Sequence, residues 1–291
     1  MPVTETDVRL LEAAARYYVL TREQIARLCQ LNHASGRSTR KHLSKLLQGG
    51  YLQRHNVPVA LPGSHGAAPV YYPTKAGAEL LASWFDDERY LATMTRHPRA
   101  DRLSHWIELN NTRIVIEHAL ARQTEIKLEN WISEYETINK DATEPERFTL
   151  QTTLCEVPPL SCSPDAGLLL SMSGQSKVYY VERDRGTSSP HQIAARKTRG
   201  YAELARQQGH VRHFPNATVP TFSVLFITTS AYRCNQLAKE LRKRESPELW
   251  LMVDHHDLTP ESFLYEPIIL KSDGQRASLV RPEPRNAGAA T

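Results

Sequence analysis

Ser163-Pro164-Asp165-Ala166-Gly167-Leu168-Leu169-Leu170 and Lys177-Val178-Tyr179-Tyr180-Val181-Glu182-Arg183-Asp184 decide how the second half of this chain is read. Both are short apolar runs, and both predict strands. Each carries acid at one end. Side chains two apart in a strand share a face, so Glu182 and Asp184 are expected to project together. A neighbouring strand would bring Asp165 beside them. Three carboxylates at such range repel one another unless a cation is shared. A hard ion that prefers oxygen ligands, Mg²⁺ or Mn²⁺, suits that donor set.

The surrounding pattern supplies the rest of a domain. His105 to Arg122 reads as a helix, with Trp106, Leu109, Ile114, Ile116 and Leu120 recurring at helical spacing and Glu108 among them. Ile126 to Glu134 alternates as a strand, which makes Glu134 a further candidate acid. Tyr135 to Thr149 is charged and reads as a loop or insertion. Gly174 marks a hairpin turn between the two acidic strands. Pro190 opens a helix running to about Gln207, with Ile193, Ala194, Tyr201 and Leu204 facing inward. Lys197 and Tyr201 are four apart and share a face of it. A strand at Phe222 to Ile227, a helix at Tyr232 to Arg244 and a strand at Leu249 to Val253 follow.

The first half has a different texture. Asp7 to Tyr18 reads as a helix with Val8, Leu11, Ala14 and Ala15 on one stripe. Thr21-Arg22-Glu23-Gln24 has capping-box form and opens a short second helix with Ile25, Leu28 and Cys29 inward. After a break at Asn32 to Gly36, a third helix spans about Arg37 to Gln48, with Leu43, Leu46 and Leu47 apolar, and ends at Gly49-Gly50. Tyr51 to Arg54 and Val70 to Tyr72 read as two strands around a Pro/Gly-rich loop, and Thr74 caps a further helix. Three helices followed by a hairpin describe a winged helix-turn-helix, whose third helix enters the major groove of DNA. Ser38, Thr39 and His42 are placed to read base edges, and Arg37, Arg40, Lys41 and Lys45 to hold phosphates. Arg54, with His55 and His65 of the hairpin, would lie along the backbone or the minor groove. The rival reading is a wing that contacts protein alone.

Composition agrees with two domains. The 291 residues are 40% hydrophobic and carry a formal charge of +4. The charge is polarised. Residues 20–60 hold seven bases against Glu23 alone, a balance of +6, while residues 101–147 hold ten acids against six bases, a balance of −4. The basic segment calls for a polyanion partner. Cys29, Cys155, Cys162 and Cys234 form no CxxC pair, so no zinc ribbon or redox motif is indicated. His255-His256 is too isolated to argue for a metal. No apolar run is long enough for a membrane span, and Met1 to Glu5 has no signal-peptide character, so a cytoplasmic protein with reduced thiols is expected. The fold class expected is α+β. The winged helix-turn-helix would occupy residues 1–90, a linker 91–103, an α/β domain 104–272 and a disordered tail 273–291.

The order helix, three strands, helix, strand, with Pro164-Asp165 and Glu182-x-Asp184, resembles the PD-(D/E)XK superfamily that includes restriction endonucleases. The resemblance implies that Asp165 and Glu182 bind Mg²⁺, and that a lysine two residues after the Glu assists the attacking water. Position 184 is Asp instead, and Lys197 on the following helix is placed to stand in. A second resemblance spans both halves. Tyr71-Tyr72-Pro73-Thr74-Lys75-Ala76-Gly77, Trp131-x-x-Glu134, Pro164-Asp165, Glu182-x-Asp184-Arg185-Gly186-Thr187 and Lys197-x-x-x-Tyr201 are similar to the plasmid replication-relaxation family. That family looks like the restriction-endonuclease-like relaxases of mobilisable plasmids, which implies action on plasmid or integrative-element DNA.

The chemistry expected is phosphodiester cleavage or nicking. Mg²⁺ on Asp165, Glu182 and Asp184 would acidify a water and clamp the scissile oxygen. Lys197 would stabilise developing charge, worth about 3 kcal/mol. Tyr201 would position a phosphate, act as nucleophile or pack. The expected partner is double-stranded DNA, with a homodimer and other mobilisation or replication proteins as further expectations. Two rivals remain: a non-catalytic accessory binder with a degenerate nuclease-like domain, and a transcriptional regulator.

Overall fold

The computed structural model describes residues 2–31, 36–56, 69–138, 141–142 and 147–280. The break at 32–35, the hairpin loop with His65, part of the charged insertion and the segment 281–291 lie outside the described residues. The chain divides into two compact units, Met1–Ile114 and Val115–Thr291. The division falls inside a helix, later than the linker expected at 91–103. No described helix is long and apolar enough to cross a membrane.

In the first unit, α1 (Glu5–Tyr17), β1 (Leu20–Thr21), α2 (Arg22–Leu28), α3 (Arg37–Gln48), β2 (Leu52–Asn56), β3 (Pro69–Pro73) and α4 (Lys75–Phe85) follow in order. The short-range signals in the sequence account for most of these boundaries. Thr4 and Asp7 form a capping box at the start of α1, and Thr21 and Gln24 form one at α2. Thr74 Oγ1 accepts from the Gly77 amide at 3.0 Å and starts α4. Gly50 takes the left-handed conformation, φ +73°, just beyond the α3 cap. The sheet order is β1-β3-β2, all antiparallel. Leu10, Leu11, Ile25, Leu43, Leu46, Leu52 and Leu81 make its core. One close approach locks α4 in place: a Cβ at Gly77 would lie 2.2 Å from the Tyr51 carbonyl oxygen. A single 3-10 turn, Glu88–Ala92, and irregular chain lead to α5 (Leu103–Leu120).

The second unit continues with β4 (Ile126–Ser133), β5 (Thr152–Cys155), β6 (Leu160–Cys162), β7 (Ala166–Met172), β8 (Gln175–Arg183), α6 (Pro190–Arg206), α7 (His210–His213), β9 (Phe222–Thr228), α8 (Ala231–Leu241), β10 (Trp250–Asp254), β11 (Ile269–Lys271) and β12 (Arg276–Ala277). Seven strands form one mixed sheet in the order β12-β11-β10-β9-β8-β7-β4. The meander β4-β7-β8 is antiparallel, and β8-β9-β10 is parallel. The α6–α7 and α8 segments supply the crossovers that parallel neighbours need. The architecture is α+β, as expected from the pattern.

Three pieces differ from the sequence reading. β5 and β6 pair as a separate two-stranded ribbon that the pattern did not show. The chain between β10 and β11 is folded, with Leu258, Phe263, Leu264 and Ile268 buried. Residues 273–277, assigned to a disordered tail, instead turn at Gly274 and return as β12 against β11. Their low apolar content reflects an edge hairpin, where most side chains face water.

The core of this unit lies between one face of the sheet and the helices α6 and α8. Val178, Tyr180, Phe222, Val224, Phe226, Trp250 and Met252 from the strands meet Ile193, Tyr201, Leu204, Leu237 and Leu241. Aromatic pairs dominate it, with Tyr180 on Phe222 at 5.0 Å and Tyr201 on Trp250 at 5.5 Å, both edge to face.

Candidate functional site

The acids converge where β7 and β8 open towards α6. β7 and β8 pair with Ala166 opposite Val181, so Asp165, one step earlier, comes beside Glu182. Asp165 Oδ2 accepts from the Arg183 amide at 2.7 Å, and its carbonyl accepts from the Glu134 amide at 3.0 Å. A carboxylate oxygen of Glu134 and one of Asp165 lie within 4.8 Å of one another. Glu134, weighed only as an extra acid in the sequence, therefore belongs to the cluster.

Glu182 sits at the floor, 4% exposed. Its Oε1 accepts from Lys197 Nζ at 2.7 Å and from Tyr201 Oη at 2.6 Å. The two donors are one turn apart on α6, so the helix delivers both to one oxygen. Lys197 Nζ also donates to the Ser163 carbonyl at 3.3 Å. The close seat of α6 is required for this reach. Gly200 lies against β6, where a Cβ would stand 2.9 Å from the Ser161 carbonyl oxygen. A side chain there would push the helix off the strand that leads to Ser163 and Asp165.

The electrostatics follow from burial. Burial pushes the Glu182 carboxyl up to about 7; the Lys197 charge pulls it down, and the Asp165 charge adds to the rise. Burial opposes the Lys197 charge, but Glu182 and Asp165 together hold its ammonium above the ordinary lysine range. Burial, then the Glu182 charge, raise the Tyr201 hydroxyl well above its usual value. Tyr201 is fully buried, so its role here is to hold Glu182.

Asp184 does not join them. Arg233 of α8 takes it with Nε at 2.6 Å from Oδ2 and Nη2 at 3.1 Å from Oδ1, and the Gly186 amide donates to Oδ1 at 2.9 Å. The expectation of a three-acid ligand set on 165, 182 and 184 is therefore corrected. Glu182 and Asp184 do face the helical layer together, but one is claimed by α6 and the other by α8. Arg233 was missed by the sequence reading. It follows the Ser230 cap in the first turn of α8, 49 residues from its partner, and nothing local links the two.

In the first unit, α3 divides the expected DNA-binding residues into two groups. Arg37, Arg40 and Lys41 are exposed, Ser38 is half-buried, and Arg54 is exposed on β2. Thr39 is fully buried. It lies four residues before Leu43 on the inward stripe, so it is removed from the base-reading set. His42 Nδ1 is 2.6 Å from Asp7 Oδ1, and Lys45 Nζ pairs with Asp7 Oδ2. Burial of Asp7 raises its pKa, but the bonds from Lys45, His42 and Thr4 outweigh that and hold it far below the usual carboxylate range. His42 and Lys45 therefore help hold α3 to α1, and the outward cations are Arg37, Arg40 and Lys41.

No curated protein and no solved structure matches the chain. The family model described as replication-relaxation matches residues 11–217, more than half of the chain and parts of both units. The chain belongs to the replication-relaxation family.

Proposed function

We propose that this is a DNA-binding protein of a plasmid or integrative element, acting in its replication or mobilisation, and that its second unit nicks DNA with a divalent metal. The first unit is read as a winged helix, with α3 as recognition helix and β2–β3 as wing. The second is read as a PD-(D/E)XK core, its lysine moved from the strand to α6. The observation that carries the reading is the 2.7 Å approach of Lys197 Nζ to Glu182 Oε1, beside Asp165.

The donor chemistry fits a hard cation. Asp165 and Glu134, which lie within 4.8 Å, and Glu182 beside Asp165 offer oxygens only. Burial is the main cause of the raised Glu182 carboxyl, and the Asp165 charge adds a smaller repulsion that a shared cation would relieve. When bound, Mg²⁺ or Mn²⁺ would acidify a water and polarise the scissile phosphate. Lys197 holds its proton and places positive charge where the phosphorane gathers negative charge. Tyr201 fixes the Glu182 rotamer. Arg40, Lys41 and Arg37 hold the duplex by its phosphates.

A second reading is favoured by the Asp184–Arg233 pair, which neutralises one of the acids. In that reading the core is a docking platform and the protein an accessory binder or regulator. Supercoiled plasmid incubated with the protein, with and without Mg²⁺, decides between them. Open circles that need the metal and vanish for Glu182→Gln and Lys197→Ala support the nickase. Retarded plasmid that stays supercoiled in every condition supports the accessory role.

A further inference from the structure

The sheet of the second unit has a second face, and one end of it holds a groove of about 650 Å³. Strand alternation explains its lining. Val178, Tyr180, Phe222, Val224, Trp250 and Leu270 point into the core under α6 and α8. Their neighbours Lys177, Tyr179, Ser223 and Lys271 therefore face the other way. The register aligns them, with Tyr179 opposite Ser223 and Leu251 opposite Lys271. Glu248 and Ser278 complete the polar lining, while Arg276, opposite Leu270 on the edge strand β12, only borders the groove.

The charge in this groove is out of balance. Two cations, Lys177 and Lys271, face one carboxylate, and among the described residues neither is in an ion pair with an acid. Lys177 is half-buried, and its ammonium lies 5.2 Å from the centroid of the Tyr179 ring. A half-buried ammonium without an acid is costly. Burial pulls Lys177 below the ordinary lysine range, and a bound anion would oppose that shift. Ser223 adds a buried hydroxyl, and Tyr179 adds a ring face. The volume lies within the roughly 300–1,000 Å³ usual for ligand sites.

We propose that this groove binds the phosphates of a nucleotide chain, with Lys177 and Lys271 as the phosphate contacts and Tyr179 as a stacking surface for a base. Cations combined with an aromatic face are the means by which proteins hold single strands without reading their sequence. The groove is separate from the acid cluster, because Lys177 lies five residues before Glu182 and on the opposite face of β8. At about 3.3 Å per residue that is some 17 Å along the strand. The choice of ligand rests on the nucleic-acid reading above; the groove and its charge do not. In a protein that nicks, such a groove would hold a displaced single strand away from the duplex.

The test uses the full chain and a fluorescein-labelled oligo-dT of about twelve nucleotides, a length within the range that single-strand sites cover. Anisotropy is read against salt for the wild type, for Lys177→Glu with Lys271→Glu, and for Lys177→Gln with Lys271→Gln as the milder pair. Thermal melts select the variants that fold. We expect at least a tenfold weaker Kd for each pair, and a salt slope smaller by about 1.4, which is 0.7 for each of two lost phosphate contacts. Displacement of the oligonucleotide by millimolar dTMP would assign the site to a free nucleotide; resistance to it would assign the site to a strand. An unchanged Kd in a folded variant, or no binding of either probe by the wild type, overturns the proposal. Arg40→Ala with Lys41→Ala separates the two readings: it is expected to weaken duplex binding and leave oligo-dT binding intact.

Discussion

Arg233 holds Asp184 by two nitrogens, with Nε 2.6 Å from Oδ2 and Nη2 3.1 Å from Oδ1, and the same guanidinium reaches the Ser188 carbonyl. Asp184 is buried and Arg233 half-buried, their side chains 3% and 15% exposed. The pair joins the end of β8 to the start of α8, and so braces the parallel half of the sheet from above. A buried pair of this kind adds little over an apolar substitute, but losing one partner strands the other.

Arg233→Met should therefore cost about 3–5 kcal/mol, because it strands the buried Asp184 with the Gly186 amide as its other bond. Asp184→Asn combined with Arg233→Met should cost clearly less than the sum of the single changes. Urea unfolding followed by circular dichroism measures all three. Additive losses would show that the two residues act independently.

Gly77→Ala tests the tightest backbone approach in the first unit. The new methyl would sit 2.2 Å from the Tyr51 carbonyl oxygen, which already accepts from the Thr74 amide at 3.1 Å. The obstacle is backbone, so relief needs movement of α4 or of the residues entering β2. A loss of about 1–3 kcal/mol is expected. A thermal melt within a degree of wild type would contradict the close approach.

These features differ in how far they could be read from the chain. Helix starts were legible at Thr21, Thr74 and Pro190, because a cap is a contact within four residues. The Lys197–Tyr201 face was legible for the same reason, since helical spacing alone puts both side chains together. The convergence of Asp165 and Glu182 came from one hairpin with its turn at Gly174. Arg233 on Asp184 needs three strands and two helices to be in place first, and no pattern of spacing encodes that. β6 and β12 have three and two residues, too few for alternation to show. Thr39 is polar, yet its place on the Leu43 stripe decides its burial.

The pH dependence of stability should carry the mark of His213. Its Nε2 is 2.7 Å from Thr152 Oγ1 and its Nδ1 is 2.6 Å from Tyr180 Oη, all buried. Burial, with smaller contributions from Arg212 and His210, brings its pKa down to about 4 from an ordinary value near 6.5. The folded state thus binds fewer protons than the unfolded one between those values. This contribution to stability is complete above pH 6.5 and is lost as pH falls towards 4. The expected slope reaches at most about 1.4 kcal/mol per pH unit. Glu182, whose carboxyl is raised to about 7, gives the opposite slope over much of that window, so the share of His213 is read as the difference in urea midpoint between wild type and His213→Gln at pH 7, 6, 5 and 4. The deficit of His213→Gln should be largest at pH 7 and shrink towards pH 4.

Duplex binding gives the last prediction, and it rests on the division of α3 into two faces. Lys41 and Arg40 are exposed, whereas Thr39 is fully buried with no hydrogen-bond partner for its hydroxyl among the described residues. If the outward face grips phosphates, Lys41→Ala and Arg40→Ala should each weaken duplex binding and reduce the salt slope by about 0.9. Thr39→Val keeps the shape and removes an unsatisfied polar group, a change that costs little and can stabilise by about 1 kcal/mol. It should leave affinity untouched. Lys45→Ala behaves differently again. It leaves Asp7 with His42 and Thr4 alone, so its first effect should be a lower melting temperature, with weaker DNA binding only as α3 loosens from α1. Titrations of a labelled duplex at several salt concentrations, set beside thermal melts, sort the four variants. A Thr39→Val protein that binds DNA poorly while melting normally would mean that this face of α3 reaches the groove after all.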